Sequence, residues 1–225
     1  MDVDQRHLRD CLGRFTTGVT VVTYSVAGEV RGATVNAFTA VSLDPPLVMI
    51  ALGRNSRACA GLDGVPFAVN VLAADQIDVA LQFAGRPRPG ARIGWRPRAV
   101  ADPADVLAAT DDLAPIDGAV QADDRDAAEL TQDGPAADAP SLLGAVAVFH
   151  CRPWRRYDGG DHVLHVGRVR AAETHPGEPL VFSDGGFTMT GLPLFDGPLV
   201  SDFGAAPLPS WSAAVRRLQQ RAEAV

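Results

Sequence analysis

The chain of 225 residues is 47% hydrophobic with a formal net charge of −7, long enough to bury one core without disulfides or metals. Its negative balance disfavours nonspecific nucleic-acid binding, which requires a basic face. Every cation apart from histidine is arginine, with no lysine anywhere; that excludes Schiff-base chemistry and leaves anions to guanidinium groups, backbone N–H and hydroxyls.

No apolar run reaches membrane-spanning length, and the start MDVDQRHLRD has neither the basic nor the apolar region of a signal peptide, so a cytoplasmic protein without membrane association is expected. Cys11, Cys59 and Cys151 are widely separated, with no CxxC spacing. They read as three buried thiols rather than a metal site or a disulfide framework.

Gln5 to Arg14 places Leu8, Cys11 and Leu12 at helical spacing, continued by Phe15, which predicts a short amphipathic helix lying against a sheet. Gly18 to Val26 is rich in β-branched residues, and Ala27-Gly28-Glu29 joins it tightly to Val30 to Phe38, giving an antiparallel hairpin.

The stretch GATVNAFTAVSLDPPLVMIALGRNSR, Gly32 to Arg57, narrows the chemistry most. Thr34, Asn36, Thr39 and Ser42 set small hydrogen-bonding groups into a strand-forming segment where Val or Ile would be ordinary, which points to a polar ligand. Asp44-Pro45-Pro46 forces a turn. The apolar run Leu47 to Leu52 reads as a strand buried on both faces, delivering Gly53-Arg54-Asn55-Ser56-Arg57 to one end of the sheet. That loop opens a short helix, Ser56 to Leu62, and its N–H groups and arginine forks suit a phosphate. Taken alone, the loop fits a capped surface helix with solvated arginines equally well.

Pro66 to Leu72 is a further strand interrupted by Asn70, and Asp75 to Ala84 a helix ended by Gly85. From Arg86 to Pro140 the chain turns rich in Pro, Ala and Asp, an expected solvated excursion with a short helix near Ala104 to Thr110. Strands resume over Ser141 to Trp154, His162 to Ala172 and Leu180 to Ser183, with glycine turns between them. A tail after Gly191 ends in a helix carrying Trp211, Val215, Leu218 and Ala222 on one face. Close-spaced strands with few short helices indicate a mainly β fold with peripheral helices, a β-barrel domain over 1–190 and a tail over 191–225.

FTTGVTVVT (Phe15 to Thr23), GATVNAFTAVSLDPPLV (Gly32 to Val48), FAVNVLAADQ (Phe67 to Gln76), FAG (Phe83 to Gly85) and GDHVLHVGRV (Gly160 to Val169) resemble, in order, the landmarks of the short-chain flavin reductase family. These are the NAD(P)H:flavin oxidoreductases that supply reduced flavin to two-component monooxygenases. The resemblance implies a split β-barrel, a homodimer, FMN or FAD as flavin, NADH or NADPH as hydride donor and a monooxygenase partner. It places Thr34, Asn36, Ala37, Thr39 and Ser42 along the flavin's ring and ribityl chain. Arg54, Asn55, Ser56 and Arg57 fall at its phosphate, and Phe83, Ala84 and Gly85 close over it. Asp161 and His162 become the catalytic pair beside the nicotinamide, with Gly167 allowing close approach and Phe187 as a nearby aromatic. The chain departs from the family at Gly186, where a basic residue is common, and at Ala58, where a hydroxyl is. Two other readings stay open at this point: a flavoprotein oxidase or oxygenase holding its FMN tightly, and a non-catalytic flavin-binding module.

Overall fold

The computed structural model describes residues 3–96 and 139–191. Most of the Pro-rich excursion, including the expected helix at Ala104 to Thr110, and the tail helix bearing Trp211 lie outside the described residues. One compact unit spans Met1–Met189 and a second Thr190–Val225. The described elements in chain order are α1 (Gln5–Gly13), β1 (Thr17–Gly18), β2 (Thr20–Val26), β3 (Glu29–Val35), β4 (Phe38–Leu43), β5 (Pro46–Gly53), α2 (Arg57–Gly61), β6 (Phe67–Val71), α3 (Ile77–Phe83), β7 (Ala147–Gly159), β8 (His162–Thr174), β9 (Leu180–Ser183) and β10 (Gly186–Met189).

Seven strands form one antiparallel sheet in the order β3-β2-β6-β7-β8-β5-β4, and β1-β9-β10 make a second, smaller one. The β2–β3 hairpin turns through Ala27 and Gly28, both at positive φ, the backbone that a two-residue turn between right-twisted strands needs. The large sheet curls without closing. Its interior is filled by Val22, Tyr24, Ile50, Leu52, Phe67 and Val69, and α2 plugs one end with Ala58, Cys59 and Leu62. On the other face, Val19, Val21 and Leu72 pack with Ala80 of α3 and Leu180 of β9. The mainly β split barrel expected from the sequence is the fold observed.

Asn70 interrupts β6 because it organises a polar knot. Fully buried, its amide donates to the Val21 carbonyl at 2.9 Å and to the Thr23 hydroxyl at 3.0 Å, and accepts from the Leu142 N–H at 2.8 Å. Thr23 in turn donates to the Pro140 carbonyl. The knot fixes where the chain re-enters the sheet after the excursion, and every polar atom in it has a partner, as burial requires.

Several expectations are corrected. Helix α1 has no buried residue, with Leu12 62% and Phe15 77% exposed; its apolar stripe lies on no sheet among the described residues. Strand β5 alternates buried and half-buried residues, since it has helix α2 on one face only. The predicted strand Val30 to Phe38 stops at Val35. Of the cysteines, Cys59 and Cys151 are buried but Cys11 is exposed, and burial pushes the Cys151 thiol up to about 12. His150, read as structural, shares Glu173 with His175 and Arg96 at the far end of β7 and β8.

Gly167 also has a different reason from the one expected. A Cβ there would stand 2.4 Å from the Phe67 ring and 3.0 Å from Cβ of Cys151, so the glycine makes room for a core ring. Gly167→Ala should therefore destabilise the fold by about 1–3 kcal/mol through overpacking and leave the KM for the nicotinamide nucleotide unchanged. A raised KM at unaltered melting temperature would contradict this.

Candidate functional site

Strands β3 and β4 are the two ends of the large sheet's order, yet they are consecutive in sequence, so Asn36 and Ala37 must carry the chain across the open seam of the barrel. The Ala37 carbonyl accepts from the Ala51 N–H at 3.0 Å, which pins the crossing to the end of β5. A cleft of about 240 Å³ opens there. One wall is Ala33 to Ala37, the other runs from Ala51 to Gly53 and on to Ser56 and Ala58, and His162 of β8 completes it.

Those walls are built from small residues. Ala33, Ala37, Ala51, Gly53 and Ala58 all border the cleft, and nothing lies within 4 Å of where a Cβ on Gly53 would be. A flat ring can thus approach the backbone closely. In the sequence these walls show as alanine and glycine at strand ends where β-branched residues are usual.

Of the residues expected at the site, Thr34, Asn36, Ala37, Ser56 and His162 meet in the cleft. The Thr34 hydroxyl is already committed, donating to the Ala80 carbonyl at 2.6 Å. Ser56 caps α2 by accepting from the Cys59 N–H at 3.1 Å. Asn55 and Arg57 are exposed beside it. Thr39, whose hydroxyl donates to the Ala40 carbonyl, and Ser42, at the β4 bulge, run along β4 outside the cleft. Phe83 packs edge-on to Trp95 and stands where a Cβ on Gly32 would be. It therefore sits on the α3 side, followed by exposed Ala84 and Gly85. Phe187 packs edge-on to Phe182 within the small sheet.

Arg54 has the least expected placement. Its Nε and Nη2 donate to the Gly160 carbonyl at 3.1 and 2.9 Å, Nη2 lies 3.0 Å from the Asp158 carboxylate, and its backbone N–H donates to the Asp161 carbonyl at 2.9 Å. The side chain clasps the β7–β8 turn to the end of β5. Gly53 and His162 are register partners in that same pairing, so the clasp sets His162 at the cleft mouth.

The His162 Nδ1 lies 2.7 Å from the Asp161 carboxylate. An ionised carboxylate only accepts, so Nδ1 carries the proton and Nε2 is the ring nitrogen left for a ligand. This bond holds the exposed Asp161 carboxyl below the usual carboxylate range, helped by the charges of His162 and of Arg9 on α1. Near α2, burial raises the Tyr24 hydroxyl while the charges of Arg31 and Arg57 pull it down.

The chain matches the family model described as "Flavin reductase like domain" over residues 12–191. It is 34% identical over 185 residues to the FMN reductase (NADH) SmoA of Agrobacterium fabrum, covering 82% of this chain and 85% of that one. To the NADH-dependent FAD reductase of Streptomyces globisporus it is 36% identical over 186 residues, covering 82% and 85%. The reductase component of 4-hydroxyphenylacetate 3-monooxygenase from Thermus thermophilus is 32% identical, covering 80% and 92%. Among solved structures, the Streptomyces globisporus NADH:FAD oxidoreductase in complex with NAD and FAD fragments superposes with a TM-score of 0.60 at 32% identity, covering 84% and 93%.

The Asp158 carboxyl is lowered first by the Gly160 N–H bond and then by Arg54. A depressed carboxylate contributes its stabilisation above its ordinary value and loses it as pH falls through the depressed one, so the clasp should persist through pH 4. Carboxyl NMR titration should show the Asp158 midpoint rising toward the ordinary value in Arg54→Ala. An unmoved midpoint would mean that the guanidinium does not hold the turn.

Proposed function

The chain belongs to the flavin reductase family, and we propose that this NAD(P)H:flavin oxidoreductase holds its flavin in the seam cleft between β3 and β5. The observation that carries the assignment is the meeting of three sequence-distant segments in one small-walled cleft: the Asn36–Ala37 crossing, the Gly53–Ser56 loop and His162. The donor set fits a flavin nucleotide. Alanine and glycine walls admit the ring, Asn36 and main-chain groups of the crossing offer hydrogen bonds, and Ser56 and Arg57 offer a hydroxyl and a cation for phosphate.

When bound, flavin and nicotinamide supply the electronic part of the hydride transfer. The chain's task is to position and stabilise. Asp161 holds the His162 ring in one orientation through the 2.7 Å bond, and Arg54 holds the turn that carries both. His162 can then donate a hydrogen bond or positive charge beside a group gaining negative charge, and no residue acts as a strong general base. The product, a reduced flavin, goes to a partner monooxygenase.

A second copy of the chain is the natural cover for the site. A cleft of about 240 Å³ is smaller than the roughly 300–1,000 Å³ usual for ligand sites, so it takes part of a flavin and leaves the rest to be enclosed. Edge strand β4, carrying Thr39 and Ser42, exposes Val41 by 51% and Leu43 by 71%, an apolar edge of the kind proteins protect by pairing. A homodimer across this edge would bring Thr39 and Ser42 toward the flavin.

Purified protein should oxidise NADH or NADPH only with added FMN or FAD and run as a dimer in light scattering. His162→Ala should lower kcat by about tenfold or more, as loss of a charge-stabilising donor does, while flavin Kd changes by less than about threefold. Unchanged kcat in that variant would remove His162 from the reaction, and the absence of nicotinamide oxidation with either flavin would refute the site.

A further inference from the structure

Beyond the phosphate end of the cleft, β3 and α2 meet over Tyr24, and each element carries an arginine there. On β3 the side chains of Arg31, Ala33 and Val35 fall on one face, and Ala33 and Val35 line the cleft. Arg31 is the register partner of Tyr24. On α2, a Cβ at Gly61 would stand 2.8 Å from the Tyr24 ring and 3.0 Å from its hydroxyl, so this helix face rests on Tyr24. Arg57 lies four residues earlier, on the same face. Both cations therefore fall on the faces that meet at Tyr24, and the charges of both act on its hydroxyl.

We propose that Arg31 extends the phosphate site of Ser56 and Arg57 into one that takes the diphosphate of a flavin adenine dinucleotide, so that the chain prefers FAD to FMN. The proposal rests on the cleft being the flavin site. One phosphate at Ser56 and Arg57 leaves Arg31 further along, where only a longer, dinucleotide ligand reaches. The negative groups nearby do not cancel the subsite. Asp63 is held by Arg156 at 2.7 Å, and no carboxylate among the described residues pairs with Arg57. Glu29 lies 2.9 Å from Arg31, but the pair is 74% and 47% exposed and so weak enough for a ligand to displace.

Titration of FAD and of FMN, followed by flavin fluorescence, tests this. The unaltered chain should bind FAD more tightly than FMN. Arg31→Gln should weaken FAD by about tenfold, the value of one charge-assisted contact, with FMN within about twofold. Glu29→Gln removes the competing carboxylate and should tighten FAD at low ionic strength, with the gain fading as salt is added; it carries the test if Arg31→Gln fails to fold. Equal losses for both flavins in Arg31→Gln, or weaker FAD binding in Glu29→Gln, would overturn the subsite. A chain that binds FMN as tightly as FAD and ignores both substitutions overturns the subsite alone; one that binds neither flavin overturns the cleft assignment with it.

Discussion

Two residues, Asn36 and Ala37, carry the chain from one end of a seven-stranded sheet to the other, and most of the site follows from that crossing. A sheet curled this far would close if β3 and β4 could pair. They do not, because the connection is drawn onto β5 by the Ala51 N–H to Ala37 carbonyl bond and β4 goes on to pair with β5 instead. The barrel keeps a seam whose backbone polar groups lack a neighbouring strand. Such groups need partners once water is excluded, and a polar, flat ligand can supply them. The same seam explains the small residues on its walls, since larger side chains would close the gap.

A second constraint comes from the β7–β8 hairpin, the longest pairing in the fold. Its turn projects past the end of β5, and Arg54 draws it back with two donated bonds to a single carbonyl. Arginine suits this because its fork can bind a carbonyl and a carboxylate together in fixed geometry. His162 is thus positioned by the fold at both ends: by strand register opposite Gly53 and by Asp161 at its ring. Catalysis by hydride transfer asks little more of a protein than such fixed placement.

Much of this was legible in the sequence. The barrel class, the hairpins and the Gly53–Arg57 loop could be read because β-branched runs, glycine turns and the double proline are local signals. The run of Thr34, Asn36 and Ala37 marked one wall of the cleft, and the GDH element the His162 that completes it. What escaped depends on long-range partners. Arg54 looked like a phosphate ligand because its carbonyl partner lies more than a hundred residues away. The purpose of Gly167 is the Phe67 ring, which no spacing rule reveals. Helical periodicity marked the apolar stripe of α1 but could not say what covers it.

The claim that the seam cleft is the flavin site can be tested by filling it. Gly53 borders the cleft, has no atom within 4 Å of its would-be Cβ and does not adopt a left-handed backbone, so Gly53→Leu should fold with an unchanged circular dichroism spectrum and melting temperature. Isothermal titration of that variant with FMN and FAD should show affinity reduced by about a hundredfold or more, as expected when a ring is denied its near approach to the backbone. Full-affinity binding of either flavin by folded Gly53→Leu would contradict the account.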